Sequence, residues 1–230
     1  MRKRCPRIEN DETDHRNLKG NYKRFRGYAL YSGHYGYDIY AAIANGHVAL
    51  TNFRHPVDRL VSLFNYFKYV VQTPEKPTRP DHFYHVRLAR SISFEEFVTS
   101  SDLHVQIYTR NAHFRQLTHS LWSLETHRSL DDAFALLDHM PWYYVCEHPE
   151  LSTAWFRTVF GIQIPEIPRE NRTPKVSTSQ VDANNVSEST RSRILERNQL
   201  DVALYEYAVK RLLLIREKLN LVPSEAGGSS

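Results

Sequence analysis

The sequence predicts an α/β fold, a parallel sheet flanked by helices, and three observations predict it. Tyr28-Ala29-Leu30-Tyr31, the run from His47 to Phe53 and Trp142-Tyr143-Tyr144-Val145-Cys146 are apolar without polar alternation, the character of strands covered on both faces. Each is followed by a segment of helical periodicity, and strands alternating with helices pair in parallel. The 230 residues are 41% hydrophobic and 24% charged, a composition and length that build one core without a disulfide or metal staple.

Residues 1 to 26 have few apolar positions and no periodicity, so they read as a loosely ordered basic segment ahead of a domain spanning 27 to 222. The strand at 28 to 31 closes in Ser32-Gly33-His34. Residues 38 to 45 make two helical turns stopped by Gly46. Pro56 opens the clearest helix, because its fixed φ suits the first helical position and Val57, Leu60, Val61, Phe64, Phe67 and Val71 recur on one face. Pro74, Pro77 and Pro80 then impose a loop. Ser93-Phe94-Glu95-Glu96 is a capping box for a short helix, with further helices expected near 103 to 117 and 129 to 139. Residues 147 to 160 form another, stopped at Gly161. After a polar stretch, one long helix is expected from 188 to 219, and the Gly/Ser-rich tail from 223 to 230 is expected to be disordered.

Charge and composition remove several classes of function. Nine of the 30 Lys/Arg lie in the first 30 residues against four Asp/Glu, whereas the remaining residues are near neutral. A nucleic-acid-binding domain spreads its cations over a folded face, so no nucleic-acid partner is expected. Two cysteines, Cys5 and Cys146, make neither a disulfide framework nor a zinc cluster. His82-x-x-His85, near Asp81 and His104, lies in a Pro-rich loop without a helical frame, and no metal is expected. Met1-Arg2-Lys3-Arg4 has no apolar stretch behind it, so the chain as it stands reads as cytoplasmic; membrane association, and a signal or anchor further upstream, stay open.

The chemistry concentrates in Thr51-Asn52-Phe53-Arg54-His55-Pro56-Val57-Asp58-Arg59-Leu60-Val61-Ser62. A strand delivers Arg54 to a helix start, where unpaired amides and the positive end of the dipole favour an anion. The guanidinium fork grips phosphate through two hydrogen bonds, and Ser62, two turns into the helix, adds a hydroxyl. The alternative is a surface salt bridge at Arg54 and a space-filling Ser62; spacing leaves both open.

The run R-x-P-x-x-R-x-x-S after an apolar strand resembles the 3′-phosphate-binding motif of sulfotransferases that use 3′-phosphoadenosine 5′-phosphosulfate (PAPS), in particular the carbohydrate, Golgi-type branch and its bacterial relatives. Further segments resemble that branch in order: Ser32-Gly33-His34, Phe94-Glu95-Glu96-Phe97, Asn171-Arg172-Thr173 and the N-x-x-D-x-x-L-Y helix from Asn198 to Tyr205. The resemblance covers about residues 28 to 213. It implies a P-loop-like three-layer domain, PAPS as co-substrate, and a hydroxyl of a carbohydrate-like acceptor as nucleophile. By that resemblance Arg54 and Ser62 bind the 3′-phosphate, His34 is the candidate general base, and Thr173 and Lys175 close over the nucleotide. An imidazole near its ordinary pKa is poised to take a hydroxyl proton at neutral pH, while a strand-end histidine bonded to a carbonyl is the bland alternative. Asp201 and Tyr205 share one side of the last helix and are read as structural.

One part of the pattern is missing from the sequence. The family's P-K-T-G-G-T-S-like loop, which holds the 5′-phosphosulfate, has no counterpart before position 28, and no G-x-x-x-x-G-K-[ST] occurs anywhere. The expectation is therefore a sulfotransferase-like domain lacking its first strand-loop-helix unit, through an internal start or as a fragment. The second expectation is a non-catalytic nucleotide-binding or interaction domain of the same descent.

Overall fold

The computed structural model describes residues 36–43, 46–71, 83–119, 123–126, 128–162 and 180–221. The expected strand at 28 to 31 with His34, most of the Pro-rich loop, Thr173 and Lys175, and both terminal segments lie outside the described residues. Within them the order is α1 (Tyr37–Ile43), β1 (Asn52–Phe53), α2 (Pro56–Asn65) with one wide turn appended at Tyr66–Val70, α3 (Tyr84–Ser91), α4 (Phe94–Thr99) and α5 (Leu103–Thr109). It continues with α6 (Ala112–Thr118), α7 (Leu130–His139), β2 (Tyr144–Val145), α8 (Pro149–Phe160), α9 (Glu188–Arg197) and α10 (Gln199–Leu219).

Helices dominate, and the described sheet is a single parallel pair with Asn52 opposite Tyr144 and Phe53 opposite Val145. The expected parallel α/β character is present in this small form. Among the described residues the expected strand from 47 to 53 shrinks to two residues, and Val48 and Leu50 are 60% and 46% exposed there. The expected strand from 142 to 146 shrinks likewise. Trp142 instead donates its indole N–H to the Ser152 carbonyl at 2.7 Å, and buried Tyr143 donates its hydroxyl to the Ala208 carbonyl at 2.8 Å.

Local chemistry sets most helix ends. Ser93 with Glu96, and Ser129 with Asp132, form capping boxes in which each side chain satisfies the other residue's amide. Gly161 ends α8 in the left-handed conformation at φ 64°. Two expected helices divide. The 103 to 117 segment breaks at Asn111, a left-handed residue at φ 44°, and the long C-terminal helix breaks at Asn198, with φ −124° and ψ 32°.

The two breaks face each other. Asn198 Oδ1 accepts the Asn111 amide at 2.8 Å, and Asn111 Oδ1 accepts the amides of Leu200 and Asp201 at 3.1 and 3.2 Å. Asp201 then accepts the amides of His113 and Phe114 at 3.2 and 2.8 Å. Each helix thus caps the other's start, and Asp201 is structural as the sequence suggested. Asp201 and Asn198 are almost wholly buried.

Two apolar clusters flank β1. Phe53, Phe114, Leu137, Tyr143, Val145, Trp155, Leu204 and Leu212 belong to the first, between the sheet, α6, α7, α8 and α10. Val57, Leu60, Phe64, Phe67, Val86, Phe97, Val105 and Ile194 belong to the second, among α2 to α5 and α9. Full burial of each such side chain is worth about 1.5–3 kcal/mol. Asn65 fastens the segment before α9 to α2 by exchanging two hydrogen bonds with the backbone of Val181.

Removing the carboxylate of Asp201 strands two amides that it now holds by charge-assisted bonds. Asp201→Ala is expected to lower the unfolding free energy by about 3 kcal/mol and Asp201→Asn by less; urea titration checks this, and a loss under about 0.5 kcal/mol for the alanine variant contradicts it. His113 supplies a second test. Its imidazole is pushed down to about 4, chiefly by burial and further by Arg59, with Asp201 opposing. Between pH 6.5 and 4 the unfolded chain therefore takes a proton that the folded chain refuses, so acidification removes up to about 3 kcal/mol. His113→Gln is expected to flatten that limb of the stability profile.

Candidate functional site

The site grows from the carboxyl ends of the two strands. Phe53 is held edge-on between Tyr143 and His113, with ring centroids 5.4 and 5.8 Å away. Its carbonyl accepts the Cys146 amide at 2.9 Å, the last bond of the ladder. Beyond this bond each strand releases its next residues side by side: Arg54-His55 from β1 and Cys146-Glu147 from β2. The Glu147 carboxylate accepts the His55 amide at 2.9 Å and ties the two ends together.

Pro56 then starts α2, having no amide to leave unpaired, and the first helical bond runs from the Arg59 amide to the His55 carbonyl at 2.9 Å. By the geometry of a helix start, the amides of Val57 and Asp58 have no acceptor within the helix. Arg54 is half-buried at this junction, and Ser62 lies one turn beyond Asp58 on the same stripe of α2. The structure therefore brings Arg54 and Ser62 onto one strand–helix unit. His34, Thr173 and Lys175 lie outside the described residues.

Other groups complete the neighbourhood. His55 Nδ1 stands 3.5 Å from Asp58 Oδ2, and the His55 ring meets the Tyr205 ring edge-on at 5.4 Å. The Asp58 carboxyl is held below its ordinary value, first by its hydrogen bond to His55 and then by the charges of His55, Arg54 and Arg191, against a burial cost. The Tyr205 hydroxyl is pushed well above the usual phenol range by burial and by the Glu147 carboxylate to which it donates. Burial and Glu147 also raise the Cys146 thiol, while Arg54 pulls it down. Beyond Tyr205, α10 presents an open face bearing Val209, Leu213 and Leu214.

Beneath the site, Arg59 donates to the Tyr108 carbonyl at 2.6 Å, and its Nε is buried without a partner among the described residues. Burial lowers its affinity for the proton and Asp201 restores part of it. Arg115, which is almost wholly buried, spends its guanidinium on the carbonyls of Arg110, Ser123 and Ile107. Both guanidinium groups are bonded to interior carbonyls, so the positive charges at the strand ends are Arg54 and Arg191. Among the described residues no three His, Cys, Asp or Glu side chains converge on a point that could hold a metal ion, and no helix is long and apolar enough to cross a membrane.

Sequence reasoning missed Glu147, Tyr205, His55 and Asp58 as site residues. Two signals were present. Parallel pairing places the residues following both strands together, so Cys146 mirrors Arg54 and Glu147 mirrors His55; and the i, i+3 spacing of His55 and Asp58 makes them neighbours across a helix start. Tyr205 carried no such mark, since its approach to His55 depends on how α10 is docked. Compared with protein-family models and with curated proteins, the chain matches none.

Asp58 gives this site a pH signature. A carboxyl whose pKa is lowered on folding stabilises the folded state above its unfolded value near 3.8, and that contribution disappears as pH falls through the lower folded value. Asp58→Asn is therefore expected to be less stable than wild type at pH 7, with the difference shrinking progressively as pH falls below 3.8. Parallel urea titrations of both proteins check the convergence; a stability difference that does not shrink on acidification contradicts it.

Proposed function

We propose that this chain is a PAPS-dependent sulfotransferase domain, similar to the carbohydrate, Golgi-type branch, which transfers a sulfuryl group to a hydroxyl of a carbohydrate-like acceptor. The P-loop-like three-layer architecture belongs to the same proposal. The observation that carries it is Arg54, set at the carboxyl end of a parallel strand and at the open start of α2, with Ser62 further along the same helix. Ligands of parallel α/β sheets bind at such strand ends, and a helix start with an adjacent arginine suits a phosphate.

In this reading Arg54 and the amides of Val57 and Asp58 hold the 3′-phosphate and Ser62 supplies a hydroxyl to it. Asp58 and Glu147 oppose the incoming charge, while Arg191 offsets them. His34 is the proposed base that takes the acceptor's proton as its oxygen attacks sulfur and the bridging oxygen departs with the adenosine bisphosphate. Thr173 and Lys175 are proposed to close over the nucleotide. PAPS would supply the activated sulfuryl group; the protein's part is to position it and neutralise charge at the leaving oxygen, as in phosphoryl transfer.

A second reading is a non-catalytic nucleotide-binding or interaction domain of the same descent. It needs only the strand-end Arg54 and the helix start, whereas transfer also needs a 5′-phosphosulfate segment, which residues 1 to 230 do not show as P-K-T-G-G-T-S. Calorimetry with 3′,5′-bisphosphoadenosine, paired with a sulfate-transfer assay on sugar acceptors, separates the two. Binding that Arg54→Ala weakens by at least about tenfold, near 1.4 kcal/mol, supports the assignment of Arg54. Binding without transfer favours the second reading, and no binding by the wild-type chain overturns both.

A further inference from the structure

Away from β1, a separate open depression of about 410 Å³ is lined by Thr99, Arg110, Arg193, Glu196 and Arg197. Thr99 ends α4 and Arg110 follows α5, while Arg193 and Arg197 stand one turn apart on α9 and so share a face. The elements are fixed independently: α4 by its capping box, and the α5–α6 junction by the Asn111 clasp.

The three arginines are not equally matched. Arg193 pairs with Glu95, Nη1 to Oε1 at 3.0 Å. Arg110 donates to the amide oxygen of Gln106 at 2.9 Å, and Arg197 donates to the Ser100 carbonyl at 2.8 Å; both acceptors are neutral. Arg197 Nε is buried with no partner among the described residues. Burial lowers the proton affinity of Arg197, the nearby charge of Arg110 lowers it further, and Glu196 only partly compensates. The Thr99 hydroxyl is spent on the Glu95 carbonyl, so it forms wall rather than donor.

We propose that this depression is a binding site for a tetrahedral dianion, the phosphate or sulfate group of a free anion or of an ester. Two adjacent guanidinium groups bonded to neutral acceptors match a charge of −2, and their planar forks present paired N–H donors to tetrahedral oxygens. Such an anion adds counter-charge to a pair that now faces the single carboxylate of Glu196, and Glu196 is the one lining group that opposes it. The site is independent of the nucleotide reading. Arg191, on the same helix, turns away to the Ala183 carbonyl at 2.9 Å and toward Asp58.

The test uses the full chain carrying Arg54→Ala, so that the other candidate oxyanion site is silent. Sodium phosphate, sodium sulfate, glucose 6-phosphate and glucose 6-sulfate are titrated against sodium chloride at matched ionic strength, with calorimetry and thermal unfolding as readouts. The dianions are expected to bind and raise the unfolding temperature where chloride does not. Adding Arg110→Gln is expected to weaken binding at least about tenfold, and Arg110→Lys, which keeps the charge and loses the fork, to fall between. The Arg110 side chain is exposed and, among the described residues, bonds to Gln106, so an unfolding temperature in anion-free buffer close to that of the parent verifies folding. Should that variant not fold, Arg197→Gln, whose amide can still donate to the Ser100 carbonyl, is expected to show the same loss. Tighter binding of the esters assigns the site to an ester-bearing ligand, and equal binding assigns it to the free anion. An equal response to chloride, disappearance of binding with Arg54→Ala alone, or wild-type affinity in the folded Arg110→Gln protein overturns the proposal.

Discussion

A carboxylate sealed inside a protein has to be matched by donors, and the way Asp201 is matched organises this chain. Its two oxygens take the first free amides of α6, whose own start is bent into place by the left-handed Asn111. Asn111 in turn takes the first amides of α10, and Asn198 takes the amide of Asn111. Two helix starts that would each expose unpaired N–H groups to the interior satisfy one another. Buried hydrogen bonds of this kind contribute modestly when made and cost more when one partner is removed, so the clasp acts as a geometric constraint more than as a reservoir of stability.

The constraint reaches the surface through α10. Tyr205 is one turn beyond Asp201, so the depth and rotation at which Asp201 docks also set where the Tyr205 ring meets His55 and where its hydroxyl meets Glu147. The strand ends sit at the seam between the two apolar clusters, with Phe53 in one and Val57, four residues on, in the other. Arg54 and His55 bridge that seam. Their backbone is fixed at both ends by buried residues while their side chains remain partly exposed, a suitable arrangement for holding a charged group at a defined position.

Charge at the strand ends is balanced rather than overwhelming. Arg54 and Arg191 face Asp58 and Glu147, so the junction carries no large net field. The depression between Arg110 and α9 differs, with three guanidinium groups against the carboxylates of Glu95 and Glu196. The same helix thus contributes Arg191 to one region and Arg193 and Arg197 to the other, because residues two apart on a helix do not share a face.

Local signals in the sequence were sufficient for the start of α2 at Pro56, the capping box at Ser93, the stop at Gly161 and the strand–arginine–proline unit, because each depends on chemistry within a few neighbouring residues. The lengths of the strands and the breaks at Asn111 and Asn198 were not legible. A strand exists only as far as its partner extends, and Val48 and Leu50 have the apolar character of a strand but are exposed among the described residues. The two asparagines interrupt continuous helical periodicity because each finds its acceptor or donor 87 or more residues away, a distance along the chain that no local pattern encodes. For the same reason the sequence by itself determined that an arginine stands at a helix start, whereas only the tertiary structure decided that Glu147, Tyr205 and Asp58 surround it.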